Sequence, residues 1–303
     1  MSACGHASSS PPAREVGHTG RVPVTPQDEQ LLDLAAERVR ESECLVITVG
    51  AGMGVDSGLP DFRGRSSQWN AEDGRFIDIS TPWTFQEYPR QGWGFYGHFW
   101  NLCRQATPHE GFHVLRALAG RLPTWVFTSN VDGHLQRVGF EPEHIVECHG
   151  SLGRVQCARP CTDEVWSADG VNVEVDVDYL ARADQPLPAC PRCGGLARPN
   201  VCMFIDLLWV ARPTTLREEA YRAWLAERQR EGRRLTILEC GAGSVVPRVR
   251  REGEKLLAGF ERARLIRINP EPGPEVPGVL CVPLGAREAL LGLGRRLGAV
   301  PRD

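Results

Sequence analysis

Two pairs of cysteines constrain this chain more than anything else in it. Cys157-Ala-Arg-Pro-Cys161 and Cys190-Pro-Arg-Cys193 are short loops, with the 28 residues 162–189 between them. Each loop can aim two thiolates at one tetrahedral zinc, and four thiolates close the site. With no coordination position left for water, such a metal is structural, and it nucleates a small loop-rich module over residues 151–199. The competing reading, four unrelated buried thiols, does not explain the paired spacing. The other cysteines fit a reducing cytoplasm rather than a disulfide scaffold. The chain's total of 11 cysteines is odd, its 303 residues are too many to need stapling, and no secretory hydrophobic segment opens it. Cys44, Cys148 and Cys240 sit in apolar, strand-like runs, where a thiol behaves as a small hydrophobe.

The rest of the chain alternates strand and helix signals. Residues 1–26 are rich in Ser, Pro, Gly and His without hydrophobic periodicity, and read as a disordered tail. From Asp28 to Ser42, Leu31, Leu32, Leu34, Ala35 and Val39 recur at helical spacing. Cys44–Val49 is then a continuous apolar, β-branched run, the pattern of a parallel strand buried on both faces. Thr124–Thr128, Leu235–Glu239 and Leu265–Ile268 have the same character, and helical stretches cover Leu216–Glu231 and Val249–Arg264. This order predicts an α/β fold, a Rossmann-like doubly wound parallel sheet that gathers ligands at the carboxyl ends of its strands. The sheet lobe comprises residues 27–65, 119–150 and 200–303. A mostly helical insertion, 66–118, carries Trp83, Phe85, Tyr88, Trp93, Phe95, Tyr96, Phe99 and Trp100.

The first strand runs into Gly50-Ala-Gly52, followed by Gly54 and Gly58. A glycine loop between strand and helix brings backbone N–H groups to a phosphate, although alone it also fits a tight turn. Arg63, a residue able to meet a phosphate bidentately, follows Asp61. A net charge of −3 offers no basic footprint for nucleic acid, and no run of about 18 apolar residues exists to span a membrane.

These motifs together resemble the sirtuin family. Gly50 to Gly64 is similar to its Gly-Ala-Gly…Pro-Asp-Phe-Arg-Gly signature, and Thr128-Ser-Asn-Val-Asp132 to its Thr-Gln-Asn-Ile-Asp segment. His149-Gly150 matches the catalytic His-Gly, the cysteine pairs stand where the zinc ribbon belongs, and Arg198–Phe204 follows where expected. The resemblance spans about residues 30–290. It implies an NAD-dependent protein-lysine deacylase that acts on an acylated protein or peptide and releases nicotinamide and O-acyl-ADP-ribose. NAD is the co-substrate and one Zn2+ is structural.

Carried over by motif, Gly50, Ala51, Gly52, Asp61, Phe62 and Arg63 line the NAD pocket, with Ser129, Asn130 and Asp132 at the nicotinamide ribose. Gly241, Ala242, Gly243, Ser244 and Asn269 meet the adenosine half. His149 is the general base, with Asn130 and Asp132 as its catalytic companions; an imidazole suits the task because it titrates near neutrality.

The same pocket also serves two alternatives: an ADP-ribosyltransferase or NAD hydrolase, and a non-catalytic NAD sensor. A hydride-transfer dehydrogenase fits less well, because no acidic strand end follows the glycine loop by about 20 residues. Departures from the family pattern bear on the substrate. Gly54 replaces a serine, Phe112 a histidine, His134-Leu135 reverses the common order, Gly241–Ser244 differs from the usual Gly-Thr-Ser, and Ile205 stands for a glycine beside the peptide site. Tyr88 and Arg90 lie close enough to suggest recognition of an acidic acyl group, against core packing for the insertion's aromatics.

Overall fold

The computed structural model describes residues 24–60, 78–176, 185–244, 246–271 and 273–299. Its first helix, α1 (Pro26–Arg40), starts two residues before the periodicity does. Thr25 and Asp28 form a reciprocal capping box, and Pro26 occupies the first turn, where a missing N–H costs nothing. The helix buries Leu32, Ala35, Ala36 and Val39, while Leu34 stays 49% exposed.

The strands β1 (Cys44–Val49), β2 (Thr124–Thr128) and β3 (Ile145–Glu147) form one half of a six-stranded sheet. β7 (Leu235–Cys240), β8 (Ala263–Ile268) and β9 (Val279–Val282) form the other half. The order is β3-β2-β1-β7-β8-β9 and every pairing is parallel. Alternate residues of β1 point into different cores. Leu45, Ile47 and Val49 join α1, α4 (Glu110–Ala119) and α8 (Ala286–Leu297) on one face. Cys44 and Val46 join α6 (Arg212–Arg230) and α7 (Arg248–Gly259) on the other. Covering both faces is why the strand is buried throughout and almost wholly apolar.

One expected boundary is wrong. The helix read from Val249 to Arg264 ends at Gly259, and β8 begins at Ala263. Only Ala263 and Arg264, on the exposed start of β8, fall within the helix as read from the sequence; the buried Arg267, in the part read as strand, donates from Nε to Glu239 of the neighbouring strand at 2.5 Å. Among the described residues no helix is long and apolar enough to cross a membrane.

The second layer is a smaller antiparallel sheet of β4 (Gly150–Cys157), β5 (Trp166–Ser167) and β6 (Ala197–Val201), in the order β5-β4-β6. The aromatic helices α2 (Pro82–Glu87) and α3 (Pro89–Gln105) pack on it. Phe85, Trp93, Phe95, Tyr96 and Phe99 are buried with Leu152, Val155, Val201 and Met203 in one core. Trp93 Nε1 donates to the Ala197 carbonyl at 2.9 Å. Core packing is therefore the role of most of these aromatics. Arg90 donates to the Gln185 carbonyl at 3.1 Å, tying the insertion to the cysteine module, and Tyr88 is 60% exposed.

Candidate functional site

A doubly wound sheet leaves a crevice where its strand order reverses, here between the carboxyl ends of β1 and β7. Both strands run directly into a glycine, Gly50 and Gly241, and the two loops meet backbone to backbone. Gly52 N donates to the Gly241 carbonyl at 3.0 Å, and Gly50 N to that of Cys240 at 3.0 Å. Gly241 has φ +62°, and a Cβ there would lie 2.2 Å from Met53 N. That position accepts only glycine. Ala242 follows, buried, and its carbonyl accepts from Asn269 Nδ2 at 2.8 Å and Arg250 Nε at 2.9 Å. Gly50, Gly52, Gly241, Ala242 and Asn269 thus come together at the switch point, where a glycine-bearing backbone can approach a phosphate. Arg250 is a member of this cluster that the sequence reading missed; an arginine at helical spacing on α7 carries no signal of it. Asp61, Phe62 and Arg63 lie outside the described residues.

β2 delivers the next group. Ser129 N donates to the Val49 carbonyl at 3.2 Å, and Asn130 N to Thr128 Oγ1 at 3.0 Å, so the segment turns across the end of β1. The Asn130 side chain bonds to the Asp132 carboxylate, leaving Asn130 Oδ1 buried with no partner. A buried, unsatisfied acceptor at this place suits an incoming donor. Asp132 is buried and accepts from His134 N at 2.8 Å; burial pushes its carboxyl above the usual range, opposed by the His134 imidazole.

His149 follows β3, and its imidazole bonds to the Ser129 backbone. Its pKa is held down to about 4, first by burial and then by the nearby Arg248 guanidinium, with the Ser129 bond opposing. The ring is therefore neutral near physiological pH. The strand pairing also brings Cys202 N to the His149 carbonyl at 2.9 Å.

Two departures from the family pattern meet in space. Phe112 lies between His109 and His134, with ring centroids 4.9 and 5.5 Å away. His109 was not foreseen: it accepts from Gly111 N at Nδ1 (3.0 Å) and so donates from Nε2 to the Met53 carbonyl (2.9 Å), fastening α4 to the glycine loop. Gly54 also has a local reason. A Cβ there would come within 3.2 Å of Leu59 Cβ, so the buried Leu59 occupies the space of a larger side chain.

The four zinc-candidate cysteines converge. The sulfur atoms of Cys157, Cys161, Cys190 and Cys193 all lie within 4.8 Å of one another, with Cys157–Cys193 at 3.8 Å and Cys161–Cys190 at 3.6 Å. Zn–S bonds of about 2.3 Å in a tetrahedron require sulfurs about 3.8 Å apart. The donor set fits zinc. The second knuckle closes by Gly194 N on the Cys190 carbonyl at 2.9 Å, with Gly194 at φ +71°.

The model of the Sir2 family matches residues 50–223, more than half of the chain. The chain belongs to the Sir2 family. A relative from Aeropyrum pernix named NAD-dependent protein deacylase is 34% identical over 245 residues, covering 78% of this chain and 85% of its own. One of the same name from Thermus thermophilus is 30% identical over 251 residues, covering 81% and 87%. Among solved structures, a Sir2 homologue mutant in complex with ADP-ribose superposes with a TM-score of 0.69 at 25% identity, covering 88% of this chain and 96% of its own. A Sir2 homologue bound to NAD gives 0.67 at 25% identity, covering 88% and 93%. This Sir2 chain thus has its glycine cradle, Asn130, Asp132 and His149 along one edge of the large sheet and its cysteine module on the other lobe.

Proposed function

We propose that this Sir2 chain is an NAD-dependent protein-lysine deacylase in which His149 is the general base. The reading is carried by one observation above the others. A neutral imidazole and an unsatisfied Asn130 Oδ1 stand beside the backbone cradle at the switch point of a Sir2 fold.

When bound, NAD supplies an electrophilic ribose carbon with nicotinamide as the leaving group, and the acyl group ends on the ADP-ribose product. The chain supplies position and protons. Gly50, Ala51 and Gly52 hold one end of the co-substrate, and Gly241–Ser244 with Asn269 hold the adenosine end. Asn130 Oδ1 receives a donor from the nicotinamide ribose or carboxamide, and Asp132 keeps that amide oriented through its hydrogen bond. His149 donates one N–H to the Ser129 backbone, which leaves the other ring nitrogen free to accept a ribose hydroxyl proton. Asp61, Phe62 and Arg63 complete the pocket in this reading. Cys157, Cys161, Cys190 and Cys193 hold a structural zinc, with no role in the bond changes. A four-thiolate site needs reduced cysteines, which supports the cytoplasm as the compartment.

The test is product identification. The protein is incubated with NAD and peptides carrying different acyl-lysines, and nicotinamide and peptide mass are followed together. Stoichiometric nicotinamide, deacylated peptide and O-acyl-ADP-ribose support the reading. Nicotinamide with ADP-ribosylated peptide or free ADP-ribose replaces it with transferase or hydrolase activity.

A further inference from the structure

Asp132 and His134 stand beside the Asn130 amide, and their arrangement decides which way that amide faces. Asp132, 8% exposed, accepts from His134 N at 2.8 Å and from the Asn130 side chain. His134 opens the short helix α5 (His134–Arg137) and is 0% exposed. Its ring lies against Phe112, with centroids 5.5 Å apart, and the Cys103 carbonyl faces it. That carbonyl already accepts from Arg137 Nη1 at 2.9 Å, and among the described residues neither ring nitrogen of His134 has a hydrogen bond of ordinary geometry. Burying an imidazole in this way is costly, and a leucine fills similar space without that penalty. The neighbouring carboxylate is the group that such a ring can answer.

The other charged and titratable groups around the pair are few. Arg137 lies on α5 itself, the buried Cys103 thiol comes from α3, and His109, at the start of α4, stands behind Phe112. Burial drives both members of the pair towards their neutral forms, Asp132 upwards and His134 downwards, and the charge of each opposes the shift of the other. Of the groups that favour the ionised carboxylate, the His134 imidazole comes first, ahead of the His134 backbone N–H, the Asn130 side chain and Arg137.

Hydrogen-bond chemistry turns that charge into geometry. An ionised carboxylate only accepts, so the Asn130 side chain turns its NH2 towards Asp132 and its Oδ1 away. Oδ1 is the buried acceptor without a partner. A protonated Asp132 has an O–H to donate, and Asn130 Oδ1 then becomes its acceptor. The amide turns over and presents donors where the proposed chemistry needs an acceptor. We propose that His134 is a positioning residue that keeps Asp132 ionised and thereby holds Asn130 Oδ1 towards the co-substrate. The proposal rests on the reading of Asn130 as a contact of the nicotinamide ribose or carboxamide. Phe112 packs the imidazole into place, so the departures at positions 112 and 134 form one device.

The test measures NAD affinity of the full chain by calorimetry from pH 6 to pH 8.5, a readout that needs no turnover. Wild type should hold a level affinity across this range. His134→Leu keeps an apolar contact with Phe112 and removes the charge. It should bind NAD about tenfold more weakly at pH 6, the scale of one hydrogen bond, and come within about threefold of wild type at pH 8.5, where Asp132 ionises unaided. His134→Gln, polar but unable to carry a charge, should reproduce that profile, so the result does not depend on one variant folding. In an Asp132→Asn background, His134→Leu should leave NAD affinity nearly unchanged, because the carboxylate through which His134 acts is gone. Parallel profiles for wild type and both variants, whatever their offset, reduce His134 to packing and overturn the proposal. So does a His134→Leu loss that persists undiminished in the Asp132→Asn background. When wild type binds NAD, those results count against the role of His134 alone. A wild type that binds no NAD removes the reading of Asn130 and this proposal with it.

Discussion

Replacing Asp206 with asparagine removes one charge and almost no volume, so it isolates the Arg198–Asp206 pair. Both side chains are 0% exposed, so water offers neither charge any screening. With asparagine at 206, Arg198 keeps its hydrogen bond to the Val201 carbonyl at 3.3 Å but loses its counter-charge, and its positive charge stays in the interior. Breaking a buried pair from one side costs about 3–5 kcal/mol, several times the worth of an exposed pair. For a domain of this size about 1 kcal/mol moves Tm by roughly 2–4 °C, so D206N should melt about 10 °C below wild type. The backbone donors Met203 N and Leu208 N lose part of their acceptor as well, so the loop bearing Ile205 should become more open to proteolysis. Urea unfolding and calorimetry measure the loss. R198M and the double variant R198M/D206N complete a cycle, in which the double variant should lie well above the sum of the single losses. A D206N cost under about 1 kcal/mol, or additive losses, refutes a buried and mutually dependent pair.

Two further outcomes follow from the site and the module. The purified protein should carry one zinc per chain by elemental analysis, and strong chelators or C157S should strip it; loss of the ion should loosen the small lobe, seen as lost near-ultraviolet dichroism and a lower Tm. A chain without zinc that keeps both signals contradicts the structural role. His149 gives a pH dependence of defined sign. Its folded pKa of about 4 lies below the ordinary histidine value of about 6.5, so its contribution to stability is complete above pH 6.5 and is lost as pH falls towards 4. Accordingly kcat/KM should stay level from pH 8 to about pH 6 and fall only below about pH 5, and an acid limb centred at or above 6.5 contradicts the depressed pKa.

Much of this architecture is legible because it rests on local pattern. Strand β1 is buried at every position because both of its faces are covered, and Gly50 and Gly241 punctuate the two strands that flank the switch point. The cysteine loops announce their own geometry through their spacing. What stays hidden depends on contacts distant in sequence. Leu265–Ile268 reads as a strand despite Arg267, whose partner Glu239 lies across the sheet, but Ala263 and Arg264 at the start of β8 carry no strand pattern and read as the end of the helix. His109 meets Met53 across 56 residues, and no periodicity reports that. Phe112 and His134 look like separate departures until their rings are seen in contact. Ile205 was visible as a residue standing for a glycine, and its φ of +53° supplies the physical reason a glycine suits the place. The Asp206 anchor beneath it carries no sequence signal, because an ion pair closed around a turn has no repeating pattern.

The most direct test of the central claim compares His149→Ala with wild type on one acetyl-lysine peptide and NAD. Turnover is read as nicotinamide release with loss of the acyl mass, beside NAD affinity by calorimetry and Tm. The account predicts that the variant folds and binds NAD within about threefold of wild type, while deacylation falls by at least about 100-fold, the lower range for loss of a general base. Deacylation by His149→Ala within about fivefold of wild type contradicts the assignment of His149 as the base.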